Sequence, residues 1–329
     1  MTKLALVTGA TGFVGANLVA ALTQAGWRAR VLHRASSRLH ALAGLPFESA
    51  LGDILDRDSV QQAMQGCEVV FHAAGVADYW RSSRERMFQV NVEGTRNVMA
   101  AALAVGAPRV VHTSSAAALG IPPLQRPATE SQTWNVPPDR FPYGYSKHMA
   151  EQVVQEYVAQ GLPAVIVNPT VILGPRDVNL GSDSLIVGVY KKQLPFVLPG
   201  GVNVIGVTDV AAGHLLAAAH GRVGERYLLG GQNVSVPAFA RLIGEVIGVP
   251  APTLVMPRFA VAPLAALTGL ANRISPWPLP VTADLIRLGA QPFYFDPAKA
   301  IQELGLPQTP LRQVVQEAFA WLREQGYLG

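Results

Sequence analysis

The stretch Lys3-Leu-Ala-Leu-Val-Thr8, running into Gly9-Ala-Thr-Gly12-Phe-Val-Gly15, decides the fold. An apolar run of strand character stops at a glycine turn, after which apolar residues recur at helical spacing to about Ala25. A strand, a glycine turn and a helix in that order suit a dinucleotide. One glycine permits the tight turn, another lets a pyrophosphate approach the backbone, and the helix N-terminus offers amide donors and a favourable dipole. Glycines so spaced also serve plain packing of helix on strand, and the flanking elements are what give them weight. Gly9, Thr11, Gly12, Phe13, Val14 and Gly15 are therefore the first cofactor-binding candidates.

Working outward, the pattern repeats. Strand Arg28 to His33 ends where a dinucleotide fold reads the adenine ribose, and the chain offers Arg34 and Arg38 there instead of the carboxylate that would accept from the 2′-hydroxyl of NAD. A guanidinium suits a 2′-phosphate, so NADP(H) is expected over NAD(H), the alternative being that both arginines are solvated surface. A strand near Phe47 to Leu51, a helix from Arg57 to Met64 and a strand from Glu68 to His72 follow. This alternation predicts an α/β, Rossmann-type doubly wound parallel sheet. Asp53, beside Ile54, is placed to accept from the adenine amino group or to cap the next turn. Ala73 and Ala74 are small enough for a cofactor to lie on their backbone. Asp78-Tyr79-Trp80 reads as pocket wall.

Asn91 sits in the helical region from Ser83 to Val105, where an amide on an apolar face needs a backbone or ribose partner. Strand Arg109 to Thr113 delivers Ser114-Ser115 to the sheet edge that binds ligands in open parallel sheets. After a proline-rich loop comes Tyr143-Gly-Tyr-Ser-Lys147, at the start of a helix running through Tyr157. Tyr143 and Lys147 share one helical face, whereas Tyr145 points elsewhere, as packing or pocket wall. Strand Leu162 to Val167 ends at Asn168-Pro169, Val202 to Val207 reads as the last sheet strand, and Asp209 as the cap of a helix to His220. Residues 1–168 are thus expected to form the dinucleotide domain, with 202–221 returning to it. Residues 169–201 and 222–329 are expected to form a smaller, mainly helical substrate lobe.

Composition narrows the class. Half of the 329 residues are apolar and 15% are charged, which suits a packed enzyme and excludes a disordered chain. The net charge of +4 comes from scattered Lys and Arg, without the basic run that tracks a phosphate backbone, so no nucleic-acid partner is expected. Cys67 is the single cysteine and forms no intrachain disulfide, and the cytoplasm is the expected location. No metal site is expected. The apolar run Leu4 to Val7 is too short for a signal-peptide core, and no stretch reaches the length of a membrane span. Phe259 to Ala271, interrupted by Pro263 and Gly269, is read as a buried helix, with a membrane-resting helix or a greasy substrate lid as the alternative.

Together these motifs resemble the extended short-chain dehydrogenase/reductases, the NAD-dependent epimerase/dehydratase family, over nearly the whole chain. The likeness rests on Thr8 to Gly15, Gly52-Asp53, Asn91-Val-Glu-Gly-Thr95, Thr113-Ser-Ser115, Tyr143 with Lys147, and Asp296 to Gly305. Arg34 and the Thr-Ser-Ser strand end look like the dihydroflavonol-4-reductase and 3-beta-hydroxysteroid dehydrogenase branch. Asn168 through Asp177, with Thr208 to His214 and Gly224 to Tyr227, is similar to the hopanoid-associated sugar epimerase group.

The resemblance implies that Tyr143 is the catalytic acid or base, that Lys147 holds the nicotinamide ribose and lowers the phenol's pKa, and that Ser115 donates to the substrate oxygen. It extends the cofactor set to Thr113, Pro169 and Ile172, and the substrate set to Tyr79, Ser115, Tyr145 and Asn168. Ala116-Ala117-Ala118 after Ser115 departs from dehydratases, which place an acid there. The expected function is an NADPH-dependent reductase of a ketone or aldehyde. An NAD(P)-dependent sugar or sugar-nucleotide epimerase is the alternative, and a non-catalytic cofactor sensor a lesser one. A homodimer through the helices Ser83 to Val105 and Tyr143 to Tyr157 is usual for the family and requires apolar positions facing outward.

Overall fold

The structure is a computed structural model that describes residues 2–77, 83–106, 108–181, 183–274 and 282–328. Tyr79 and its neighbours Asp78 and Trp80 lie outside the described residues. In chain order the first half comprises β1 (Leu4–Thr8), α1 (Phe13–Gln24), β2 (Arg28–His33), β3 (Glu48–Leu51), α2 (Arg57–Met64), β4 (Val69–His72), α3 (Arg84–Phe88), α4 (Gly94–Ala104), β5 (Arg109–Thr113), α5 (Pro142–Val158) and β6 (Ala164–Pro169). The second half comprises β7 (Val171–Leu173), α6 (Ser184–Tyr190), β8 (Gly201–Gly206), α7 (Val207–His220), β9 (Arg226–Leu229), β10 (Gln232–Ser235), α8 (Val236–Ile247), α9 (Arg258–Ile274), α10 (Ala283–Gly289), α11 (Ala298–Leu304) and α12 (Leu311–Glu324).

Seven parallel strands form one sheet in the order β3-β2-β1-β4-β5-β6-β9. All five residues of β1 are buried, as a strand covered on both faces requires. Leu18, Val19 and Leu22 of α1 and Val210 and Ala217 of α7 pack one face, while Val60 and Met64 of α2, Val98 and Met99 of α4 and Val154 of α5 pack the other. The strand order reverses between β1 and β4, and the crevice above their C-terminal ends is where such sheets bind dinucleotides.

The sequence reading needs correction at three places. The strand expected at Val202 to Val207 does not join the main sheet: β8 pairs with β7 and β10 in a second, three-stranded sheet, and β9 is the seventh strand of the first. β8 is nearly as apolar as the main strands, so composition cannot say which sheet it enters. Asp209 does not cap a helix, since α7 begins at Val207; its carboxylate instead accepts from the Thr309 amide and hydroxyl, both at 2.8 Å, and pins the C-terminal tail.

Helix α9 is not wholly buried. Val261 and Ala265 face α10, but Phe259, Leu267, Leu270 and Ile274 stand exposed on the outer side. The outer side of α4 and α5 is mixed, with Arg96 paired to Glu93 and Glu156 next to part-exposed Ala100, Leu103 and Met149.

Candidate active site

The site grows from the glycine turn. Gly9 has φ +71, and a Cβ on it would lie 2.5 Å from the Ala74 amide nitrogen; a Cβ on Gly15 would lie 2.3 Å from the Gly9 carbonyl oxygen. The first position therefore needs glycine for backbone conformation and the second for close packing of helix on turn. Gly12 is the N-cap of α1, with extended backbone, no side-chain cap and no acidic residue in the first turn. The amides of Phe13, Val14 and Gly15 are thus left for an anion, with Thr11 half-buried beside them. This cradle fits a dinucleotide pyrophosphate.

Arg34 is exposed at the end of β2, held there by a backbone bond from its amide to Ser37 Oγ (3.1 Å). Among the described residues no ion pair engages its guanidinium or that of Arg38. Arg38 lines an open cavity of about 920 Å³ together with Arg176 and Trp321, beside α1 and away from the strand-end chemistry. Asp53 Oδ1 accepts from the Leu55 amide (3.0 Å), the turn-capping role, and Ile54 is buried against Gly94. Ala73 and Ala74 are half-buried behind Gly9. Pro169 ends β6, and Ile172 lies in β7 as the chain passes from one sheet to the other.

Between α3 and α4 the helix widens into one π turn, Gln89–Glu93, which contains Asn91. Its side chain accepts from the Val76 amide (2.7 Å) and donates to the Val76 carbonyl (3.0 Å) and to Ser146 Oγ (2.9 Å). Asn91 therefore ties the segment after β4 to the catalytic helix, and the wide turn is what lets its amide reach both. Beside it, a Cβ on Gly75 would lie 3.1 Å from Lys147 Nζ and 3.2 Å from Asn91 Oδ1, so the bare glycine leaves room next to both.

Ser115, after β5, and Tyr143, in the first turn of α5, come into hydrogen-bond contact although 28 positions separate them. Lys147, one turn further along α5, is buried and donates from Nζ to the Thr113 carbonyl (2.9 Å). Burial pushes the Tyr143 phenol above its ordinary pKa, and the bond from Ser115 pulls it partly back. Burial likewise depresses the Lys147 ammonium to about 8, with the Glu151 carboxylate opposing.

Asn168 is fully buried. Its Nδ2 donates to the Ser115 carbonyl (2.9 Å) and to Glu151 Oε1 (2.6 Å), so it supports Ser115 from below, while its Oδ1 is buried without a partner among the described residues. Tyr145 lies among Phe88, Trp134 and His148, with ring centroids 5.5 to 6.3 Å away. It belongs to an aromatic wall beside the catalytic helix.

Sequence reasoning missed Glu151. Its buried carboxylate accepts from Ser114 Oγ (2.5 Å) as well as Asn168 and pairs with Arg226 of β9 (2.8 Å), joining the ends of β5, β6 and β9 to α5. The signal was present: positions 143, 147 and 151 repeat every four residues, so a carboxylate follows the tyrosine and lysine on their own buried face. His72 was missed too. It bridges Thr8 (2.8 Å) and Thr95 (3.0 Å), and burial holds its pKa near 3, so the imidazole is a neutral structural link between β1, β4 and α4.

Comparison with known proteins places these features in a family. The family model "NAD dependent epimerase/dehydratase family" matches residues 5–230. The chain is 39% identical, over 100% of its length and 97% of the relative's, to a Synechocystis protein provisionally named dihydroflavonol 4-reductase. It is 36% identical to sterol demethylase protein B of Methylococcus capsulatus, covering 98% of this chain and 99% of that one. The crystal structure of gox2253 superposes with a TM-score of 0.88 at 35% identity, covering 100% of both chains.

Proposed function

This chain belongs to the NAD dependent epimerase/dehydratase family and is an NAD(P)-dependent oxidoreductase, and we propose that within that family it reduces a ketone or aldehyde with NADPH. The observation that carries this reading is the contact between the Ser115 and Tyr143 hydroxyls at the C-terminal edge of the sheet, with Lys147 one helical turn on. Gly9 to Gly15 would hold the pyrophosphate, Arg34 a 2′-phosphate, and Asn91 and Lys147 flank the room left by Gly75 for the nicotinamide ribose. The dinucleotide, when bound, supplies the hydride.

The chain's own part is proton and charge management. A substrate oxygen received between Ser115 and Tyr143 meets two hydroxyl donors, and negative charge developing on that oxygen is stabilised by both. Tyr143, whose phenol burial keeps protonated near neutrality, gives its proton to that oxygen. Lys147, with a pKa of about 8, carries its positive charge at neutral pH close to the phenolate this leaves, and favours it.

Two observations favour reduction over the other family chemistries. Ala116 to Leu119 form a 3-10 turn capped by Ser115, so no carboxylate follows Ser115 to abstract a proton for dehydration. Asn168, whose likeness to the substrate-contacting segment of sugar epimerases favoured epimerisation, has its Nδ2 donors engaged by Ser115 and Glu151.

The test is NADPH consumption over a panel of aldehydes and ketones, followed by absorbance. Native protein is expected to turn over at least one class, and Tyr143→Phe to lose about a thousandfold in kcat with NADPH affinity retained. Redox-neutral interconversion of a sugar nucleotide without net NADPH consumption would overturn the proposal.

A further inference from the structure

Helix α9 is apolar on both sides. Its inner side is satisfied: Val261 and Ala265 pack with Ile286 and Ala290 at α10. Its outer side is not. Phe259 is 83% exposed, Leu267 65%, Leu270 56% and Ile274 76%, with Ala262, Pro263 and Ala266 exposed between them. These positions follow a three-and-four spacing and form a single stripe along four helical turns. Leu254, just before the helix, is 59% exposed as well. Single exposed apolar residues need no explanation, but an aligned row of them does.

The charge pattern says what covers the stripe. No Asp or Glu occurs anywhere from Val246 to Ala283, whereas Arg258 and Arg273 lie at the two ends of the helix and Arg258 is exposed. A protein partner would ordinarily meet a polar rim with about one hydrogen bond per 100–200 Å². The exposed stripe between Phe259 and Leu270 offers only apolar side chains, and along it Pro263 leaves just the Phe259 carbonyl without its intrahelical donor. An apolar helix side with exposed Arg258 at its start and no carboxylate on the helix is complementary to a bilayer surface with anionic headgroups: the apolar side chains enter the acyl boundary while Arg258 stays among the phosphates. No described helix is long and apolar enough to cross a membrane, so the contact is one of lying on the surface.

The geometry points to α9 as a monotopic docking face for an anionic phospholipid surface. The hairpin of α9 and α10 also connects to the active site. It continues past Gln291 into Phe293, whose ring meets Phe141 edge-on at 6.5 Å, and Phe141 is the N-cap of the helix that bears Tyr143. Docking thus places the bilayer one chain segment from the catalytic helix. The inference is independent of which carbonyl the enzyme reduces.

Flotation of the full-length protein with vesicles tests it, using phosphatidylcholine alone and phosphatidylcholine mixed with phosphatidylglycerol. The native chain is expected to float with the mixed vesicles and several-fold less with the neutral ones. Phe259→Glu with Leu267→Glu should lower flotation more than about tenfold. Arg258→Glu should lower it about fivefold on the mixed vesicles and leave the neutral ones unchanged. Leu270→Gln with Ile274→Gln is a second pair that adds no charge, and unchanged thermal unfolding confirms the fold of each variant. Failure of the native chain to float, or flotation of both double variants as strong as the native chain's, overturns the proposal. So does light scattering that shows a native dimer which the same variants make monomeric, since the stripe would then be a protein interface.

Discussion

The ends of β5 and β6 and the outer side of α9 break the usual inside-outside rule in opposite senses. At the strand ends polar groups are buried and tied to one another: Glu151 holds Ser114, Asn168 and Arg226, and Asn168 holds the Ser115 backbone. On α9 apolar groups are exposed. The first arrangement fixes geometry without any external partner, because the Glu151 carboxylate and the Asn168 Nδ2 have their partners inside the chain and their positions are therefore specified. The second specifies nothing within the chain, and its energy is released only on contact with something else. Reaction chemistry is preorganised in the dinucleotide half, whereas selection of surroundings is delegated to the lobe.

Three substitutions in the preorganised half sharpen the contrast with α9, where single exposed changes should move stability by less than about 0.5 kcal/mol. Gly15→Val has the largest expected effect. Its side chain would drive into the Gly9 carbonyl, costing about 3 kcal/mol in denaturant unfolding and leaving no dinucleotide binding detectable by fluorescence titration. Retained tight binding would mean that the turn is not the cradle.

Glu151→Gln comes next. Removing one partner of a buried ion pair should cost about 3 kcal/mol, the lower end of the usual range because Arg226 is a quarter exposed. It carries a further signature that mere destabilisation lacks. The Glu151 charge opposes the burial that depresses Lys147, so without it the lysine should lose its proton at still lower pH. The charged lysine is the active form, so the alkaline limb of the pH–rate profile, set by a group of pKa about 8, should move down. An unmoved limb would reduce Glu151 to a packing role.

Arg34→Glu should be the mildest, with normal unfolding but a preference for NADPH over NADH lowered about tenfold or more, the worth of charge-assisted bonds to a phosphate. Equal affinities for both dinucleotides in the native chain would remove Arg34 from the cofactor site.

Much of this was legible in the residues themselves. The glycine turn, the alternation of strands and helices through β6, and the pairing of Tyr143 with Lys147 are local. Each depends on conformations or helical faces set within a few positions, and the order of motifs supplied the rest. Within a single chain, residues alone determined that a nucleotide crevice exists and which hydroxyl, phenol and ammonium stand at its edge.

Only tertiary structure decided the rest. It placed β8 in a second sheet and β9 in the first, gave Asp209 to Thr309 and not to a helix cap, and set the Asn168 Nδ2 against Ser115 and Glu151. It also left one side of α9 uncovered. The physical reason is common to all four. A backbone conformation answers to its immediate neighbours, but the partner of a buried carboxylate and the covering of an apolar face are chosen by elements that meet only when the chain has folded.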